Sequence, residues 1–413
     1  MQTLGSGVAP EVETDDRRIE LLLRLAKALH RYGVPAHRLE GMMARLAETL
    51  GTKGSVYSSP TAIMASFGEP SDLRTAMIRV EPGETDLGRL VDLDLLASEV
   101  MEGKRDAKQG LERLDAILAA PSPYGAGFTS LCFGLVATGA TVLLGGQMRE
   151  LIASVLISGW LGLLLVLSKK RPGLDRVTEV LGAFGAAAIA VIATRVLGPF
   201  STQTSIIAGL IPLLPGLTLT VAMTELAMRN LVSGTTRLTS AILVLLQLVF
   251  GVALGSQVDR FLPPLPHLAA DVPLQPWLLV PALVVATAAT GVLFSAKPRD
   301  TPWVVLAGAV AFFGTRFGSA WLGPELGAFV GSLVLCTASN ALARLRDKPA
   351  LITIVPGLIL LVPGSIGFRS LSAMLGNDPA MGVEIAFSMG LIAISLVTGL
   401  LVANVLVPPR KVL

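Results

Sequence analysis

The stretch Ile206–Gly216, IIAGLIPLLPG, returns later in the chain as Ile354–Gly364, IVPGLILLVPG. Laid over each other, Ile206/Ile354, Gly209/Gly357, Leu210/Leu358, Ile211/Ile359, Leu213/Leu361, Pro215/Pro363 and Gly216/Gly364 are identical. Both copies end in Pro-Gly inside apolar segments long enough to cross a bilayer, and each holds a second proline, Pro212 or Pro356. Proline removes a helical hydrogen bond and clashes with the preceding turn, and glycine permits backbone that other residues avoid. In lipid a freed carbonyl needs a partner, so a broken helix is tolerated only against protein or a water-filled cavity. One Pro-Gly alone reads as a packing kink. A matched pair of interrupted helices in two halves of a chain points to a transporter binding site.

Composition sets the class. The chain has 413 residues, 52% of them hydrophobic, and a mean hydropathy of +0.67. These values describe a polytopic helical membrane protein with a soluble portion. Residues 1–120 carry more acidic than basic side chains, and the rest of the chain carries the reverse. The pI near 9.0 therefore reflects short basic loops and does not indicate nucleic acid binding. Cys132 and Cys336 fall in separate predicted spans, which excludes a disulfide scaffold and metal-ligand spacing. No metal or other cofactor is expected.

Outward from the repeated stretch, about ten apolar segments are predicted, near 127–145, 150–168, 177–197, 203–224, 237–258, 277–296, 302–321, 324–343, 350–371 and 380–406. Each approaches the roughly 20 residues a spanning helix needs. They form two five-helix repeats, 123–260 and 277–407. An odd number of crossings per half reverses the second half in the membrane, so the repeats are expected to be inverted. A miscount by one span would make them parallel.

Charge orients the array. With the N-terminus inside, one face receives Lys169, Lys170, Arg171, Arg176, Arg229, Arg237, Lys297, Arg299, Arg344, Arg346, Lys348, Arg410 and Lys411. The other receives Arg149, Arg195, Arg260, Arg316 and Arg369. The positive-inside rule then places both termini on the cytoplasmic side of the membrane. The N-terminus shows no cationic patch leading into an apolar run, so no secretory signal is expected.

Residues 1–16 read as a disordered tail and 17–122 as a small cytoplasmic α+β domain. In that domain Ile19, Leu22, Leu23, Ala26, Leu29 and Tyr32 recur at helical spacing, and Leu39, Met42, Met43, Leu46 and Leu50 follow beyond Gly33 and Pro35. Alternation at Ile63, Ala65 and Phe67, and at Ala76, Ile78 and Val80, predicts strands with one buried face. Two more helices are predicted at 86–102 and 106–119. His30 and His37 flank the turn between the first two helices and read as surface histidines. Ser58, Ser59 and Thr61 have no nucleophile elbow and no evident base beside them, and no phosphate loop occurs.

The candidate binding residues cluster after the breaks. Thr218, Thr220, Thr224 and Glu225 follow Pro215-Gly216, and Ser365 and Arg369 follow Pro363-Gly364. Hydroxyls beside a broken helix suit an ammonium or carboxylate group. Glu225 either takes a proton or substrate ammonium, or pairs with Arg229 at a helix end. Arg369 either grips a carboxylate in a bidentate way or snorkels to the surface. With Pro212, Pro215, Gly216, Pro356, Gly357, Pro363 and Gly364 these define the candidate substrate site. Gly323, Gly327 and Gly331, and Gly182 and Gly185, read as helix-packing surfaces.

The helix pair LLLRLAKALHRYGVPAHRLEGMMARLAETLG (21–51), the region SVYSSPTAIMASFG (55–68), Gly209–Gly216 leading into LTLTVAMTELAMRNLVSGTTR (217–237), and the second VPG segment resemble the threonine/serine exporter family of bacterial and fungal secondary transporters. The likeness covers nearly everything from Arg17 onward. It implies proton-coupled export of small hydroxylated amino acids by a non-enzymatic carrier. Its partners would be an amino-acid or carboxylate substrate, protons, membrane lipid and, in a homo-oligomer, further copies of the chain. Two alternatives stand beside it, a dicarboxylate (succinate-like) exporter and a membrane-tethered hydrolase acting through the N-terminal domain. The family's N-terminal domain has been likened to hydrolases, but this sequence offers no hydrolase site to carry that over.

Overall fold

The computed structural model describes residues 15–409 except 70, 72, 82, 84, 172, 265–272, 347, 362–363 and 376–377. The expectations for the first fourteen residues, Pro363, Arg410 and Lys411 lie outside the described residues. The chain divides into two compact units between Pro121 and Ser122.

The N-terminal unit begins with two helices, α1 (Asp15–Arg31) and α2 (Ala36–Thr49). Between them Gly33 adopts φ +90°, which other residues resist. Asp15 and Asp16 form the first turn of α1. The strands β1 (Gly54–Ser58), β2 (Ala62–Phe67) and β3 (Arg74–Arg79) make an antiparallel sheet in that order. Ser58 pairs with Ile63, and Ile63 with Ile78. The register thus puts Ile63, Ala65 and Phe67 on the core face, where they are buried. Helices α3 (Leu87–Met101) and α4 (Ala107–Ala119) complete the unit. Asp86 and Asp106 cap them by accepting from the amides of Arg89 and Gln109, at 2.9 and 2.7 Å. The core is Leu25, Leu29, Leu39, Met42, Leu46, Ile63, Phe67, Leu93 and Leu114.

The surface reading of the histidines is corrected. His30 is only 2% exposed, and its Nε2 donates to the Ser59 carbonyl at 2.9 Å. It tucks a helix end onto the β1–β2 turn. Burial, and secondarily Arg38, lowers the pKa of half-buried His37 to about 4.

The second unit is all helix. Among the described residues nine helices are long and apolar enough to cross a membrane, ten if one bent pair counts as a span. The first half comprises α5 (Ala126–Leu143), α6 (Met148–Ser168), α7 (Thr178–Leu197), the bent pair α8 (Thr202–Leu210) and α9 (Gly216–Ala227), and α10 (Leu231–Ser256). The second half comprises α11 (Leu279–Leu293), α12 (Thr301–Leu322), α13 (Pro324–Arg346), α14 (Leu351–Leu361) with α15 (Gly364–Leu375), and α16 (Pro379–Leu406). Phe250, Phe317, Trp321, Phe387 and Val405 project outward, as lipid-facing side chains do.

The halves repeat the same neighbours. α5 packs on α6 as α11 on α12, α7 on α10 as α13 on α16, α6 on α8 as α12 on α14, and α9 on α10 as α15 on α16. Across the halves, α9 meets α16 as α15 meets α10, and α5 meets α11. α5 and α11 run antiparallel. Tyr124, just before α5, donates its hydroxyl to Ala296 O just after α11, at 2.7 Å, while Gly139 near the end of α5 faces Ala282 and Ala286 near the start of α11. Small residues set these approaches. A Cβ on Gly139 would lie 2.4 Å from that of Ala286, and Gly327 and Gly331 lie against Ser319 and Thr315 of α12.

Candidate functional site

The first break follows from its residues. Ser201 caps α8, accepting from the Thr204 amide at 3.3 Å. Pro212 has no N–H for the carbonyl four residues back, and the chain tightens to a 3-10 turn over Ile211–Leu213. Leu214 is extended, and the Gly216 amide bonds back to Leu214 O at 2.7 Å. Helix α9 leaves at 62° to the preceding segment. In the second half Pro356 lies inside continuous α14, and Leu351–Met374 passes as a single crossing. Pro356 therefore marks the segment without breaking it.

The repeated segments meet at Gly216 and Gly364. A Cβ placed on Gly364 would lie 3.1 Å from Gly216 Cα, 3.2 Å from its nitrogen and 3.4 Å from Leu214 Cβ. Gly216 and Gly364 are equivalent positions of the repeat, so each half presents the same residue at the contact. Phe368 of α15, 2% exposed, inserts into the core of the first half beside Leu245 and Leu248. The segment Leu351–Met374 is the most enclosed crossing, with 69% of its apolar window buried.

The polar candidates divide. Thr218 and Ser365, half-buried on either side of the contact, have no side-chain hydrogen bond among the described residues. Thr220 and Thr224 are buried and return their hydroxyls to their own helix, at Gly216 O (3.3 Å) and Thr220 O (2.8 Å). Such back-bonding satisfies the hydroxyl and favours bending. Glu225 is fully buried and does have a cation, but that cation is Arg237 of α10, Nε to Oε2 at 3.1 Å, with Ser233 Oγ donating at 2.7 Å. The predicted Arg229 pairing is replaced because Arg229 has left the helix, with φ 65°. Arg369 does not escape to solvent. It is half-buried, and its Nε is enclosed with no hydrogen-bond partner. Gly209 and Gly357 are close-packing positions, where a Cβ would meet Ile157 of α6 at 2.4 Å and Leu335 of α13 at 2.6 Å.

Two acids not singled out in the sequence stand at matching places in the two halves. Glu150, 6% exposed in the first turn of α6, accepts from the Ser201 amide at 2.9 Å and the Gln147 amide at 3.1 Å. Asp300, 1% exposed and just before α12, is paired with Lys348, which precedes α14. Each carboxylate leads the second helix of its half and holds the chain entering the repeated segment. The available signal was an acid at a helix N-terminus where a repeat demanded one twice. Among the described residues no group of three His, Cys, Asp or Glu side chains could hold a metal ion.

Nine or ten candidate crossings among the described residues, with the two repeated segments meeting at Gly216 and Gly364, describe a polytopic helical membrane protein. The family model described as "Putative threonine/serine exporter" matches residues 20–259, and a second, "Threonine/Serine exporter, ThrE", matches 280–406. The chain belongs to the threonine/serine exporter family. It is 25% identical over 360 residues, 82% of this chain and 66% of the other, to a Mycobacterium tuberculosis protein named "Probable threonine/serine exporter". It is 24% identical to "Pheromone-regulated membrane protein 10" of Eremothecium gossypii, over 86% of this chain and 49% of that protein. The Saccharomyces cerevisiae protein of the same name is also 24% identical, over 95% and 54%. The chain thus spans about half the length of these fungal relatives. No solved structure matches it.

Proposed function

We propose that this chain is a secondary-active, proton-coupled exporter of threonine, serine and similar small amino acids. The face bearing Lys169, Arg229, Lys297, Arg344 and Lys348 is cytoplasmic, in a bacterial inner membrane, and both termini lie on that side. The observation that carries the reading is the contact of Gly216 with Gly364, repeat-equivalent positions of the two halves meeting among buried helices. The halves are related by a two-fold axis in the membrane plane. The antiparallel α5–α11 pair and the reciprocal α9–α16 and α10–α15 contacts support that relation, and it is the arrangement from which alternating access arises.

The substrate lies beside the contact of Gly216 with Gly364. Thr218 and Ser365 offer it hydroxyls, and Arg369, with its enclosed and unsatisfied Nε, receives its carboxylate. An unsatisfied buried donor loses its desolvation penalty once a carboxylate arrives. The buried Glu225–Arg237 pair is the candidate for coupling transport to protons. Pro212, Pro215, Gly216, Pro356, Gly357 and Gly364 shape the backbone around the site, and Thr220 and Thr224 line α9 behind it.

The test is uptake into inverted membrane vesicles under an imposed pH gradient. Threonine accumulation that depends on the gradient and resists competition by succinate supports the reading. Succinate uptake that threonine does not inhibit overturns it in favour of dicarboxylate export.

A further inference from the structure

The three-stranded sheet of the N-terminal unit has two edges, and they are treated differently. On β1 the outward amide of Ser58 donates to the Glu40 carboxylate of α2 at 2.8 Å. On β3 the direction of each backbone group follows from the ladder. The Val80 amide donates to Thr61 O at 3.0 Å, so Ile78, Ala76 and Arg74 face β2 in alternation. Thr75, Met77 and Arg79 then turn their N–H and C=O groups away from the sheet. Among the described residues no backbone group pairs with them there. An edge left open in this way is a template for another strand.

Two apolar features end at the same edge. On the outer face of the sheet Tyr57, Met64 and Met77 stand side by side, one from each strand. All are exposed, Met77 by 70%. On the inner face a groove of about 440 Å³ lies between β3 and α1, and Ile19, Leu23, Phe67, Ala76 and Ile78 line it.

We propose that the β3 edge pairs with the β3 edge of a second copy of this chain, antiparallel and with Met77 on the two-fold axis, so that two three-stranded sheets become one. The residues of β3 fit that register. Met77 meets the partner's Met77, Ala76 stands opposite the partner's Ile78, Thr75 opposite the partner's Arg79 and Arg74 opposite the partner's Val80. No arginine faces another, and like charges directly opposite are what destabilise a strand pair. The outer apolar row becomes continuous across the axis, and the open side of each inner groove meets the other.

The flanking helices complement each other as well. Arg74 donates to Asp16 at 2.8 Å at one end of β3, and His30 reaches the Ser59 carbonyl beside the other end, so α1 runs along β3. The axis therefore sets the two α1 helices antiparallel. Of the α1 charges that line the groove, Asp16 and Glu20 lie toward the helix start and Arg24 further along. The acids of one copy approach the base of the other. A contact of this isologous kind closes at two copies.

The inference is independent of what the spans carry. Light scattering of the full-length protein in detergent, with the detergent mass subtracted, should give two chains per particle at micromolar concentration. Met77→Lys places two ammonium groups on the axis and should weaken the association at least tenfold while leaving the circular dichroism unchanged. Met77→Pro removes an outward N–H that β2 does not use and should act the same way. In a chain carrying Cys132→Ala and Cys336→Ala, Met77→Cys should give a disulfide-linked dimer under an added mild oxidant. Directly paired Cα atoms about 5.5 Å apart lie within the range a disulfide accepts. Tyr57→Cys, at the far edges of the joined sheet and roughly 24 Å from its mate at about 4.8 Å per strand, should not. A monomeric wild type, a dimer that both Met77→Lys and Met77→Pro leave intact, or equal cross-linking from Met77→Cys and Tyr57→Cys overturns the pairing. Should a Met77 variant misfold, the wild-type mass and the two cysteine variants decide.

Discussion

Gly364→Ala is the smallest change that bears on the meeting of the two repeated segments. The new methyl would sit 3.1 Å from Gly216 Cα, 3.2 Å from Gly216 N and 3.4 Å from Leu214 Cβ. Carbon pairs are comfortable at about 3.5–4.0 Å, and two of these three neighbours are backbone atoms that cannot rotate away. Helices α9 and α15 must therefore part by several tenths of an ångström. Overpacking of this kind costs about 1–3 kcal/mol. At about 1.4 kcal/mol per decade, a transport cycle that passes through the closed contact loses roughly 5- to 150-fold in the population of that state. Threonine efflux should fall by about tenfold and Gly364→Val should fall further, with a lower midpoint in thermal unfolding. Alanine also improves helix propensity by about 0.5–1 kcal/mol. Gly390→Ala in α16, where a Cβ meets nothing within 4 Å, isolates that gain and should export normally. Wild-type efflux and melting in both Gly364 variants would refute the contact.

Removing Arg237 strands a fully buried carboxylate, so Arg237→Gln should destabilise by about 3–5 kcal/mol, and adding Glu225→Gln should recover much of the loss. A melting cycle in which the two effects simply add would contradict the pairing. Arg369→Gln should raise the KM for threonine, and Arg369→Lys should not restore it because an ammonium lacks the planar fork; vesicle kinetics decide. In the N-terminal unit His37 is held neutral, its pKa lowered to about 4 against 6.5 when unfolded. The unfolded chain then binds the extra proton first, so stability present above pH 6.5 is lost as pH falls toward 4. Amide exchange over α2 should quicken across that window, and His37→Gln should flatten the dependence.

Much of the architecture was legible because the bilayer allows few solutions. Apolar length gave the crossings, and the recurrence of Gly209–Gly216 at Gly357–Gly364 marked the two segments that meet at Gly216 and Gly364. The sheet register followed from the alternation at Ile63, Ala65 and Phe67. What escaped was tertiary. Nothing local distinguishes Pro212, which tightens the chain into a 3-10 turn, from Pro356, which sits inside a helix. Helical spacing offers Glu225 either a proton or substrate role or Arg229 as a partner, yet the helix ends at Ala227 and the cation arrives from the next helix. His30 looked exposed because histidine in a turn usually is, while the strand turn at Ser59 covers it. Glu150 and Asp300 were invisible as a pair until the helix packing placed each beside the chain entering a repeated segment.

The central claim is that the two repeated segments face each other closely enough to work as one site. Leu214 Cβ lies 3.4 Å from where a Gly364 Cβ would stand, close to the Cβ separation of about 3.5–4.5 Å in a disulfide. The double variant Leu214→Cys/Gly364→Cys, with Cys132→Ala and Cys336→Ala, should form an intramolecular disulfide under mild oxidation. Threonine efflux should then stop and return on reduction. Thiols that stay free under oxidation, or a disulfide that forms and leaves efflux intact, would contradict the account.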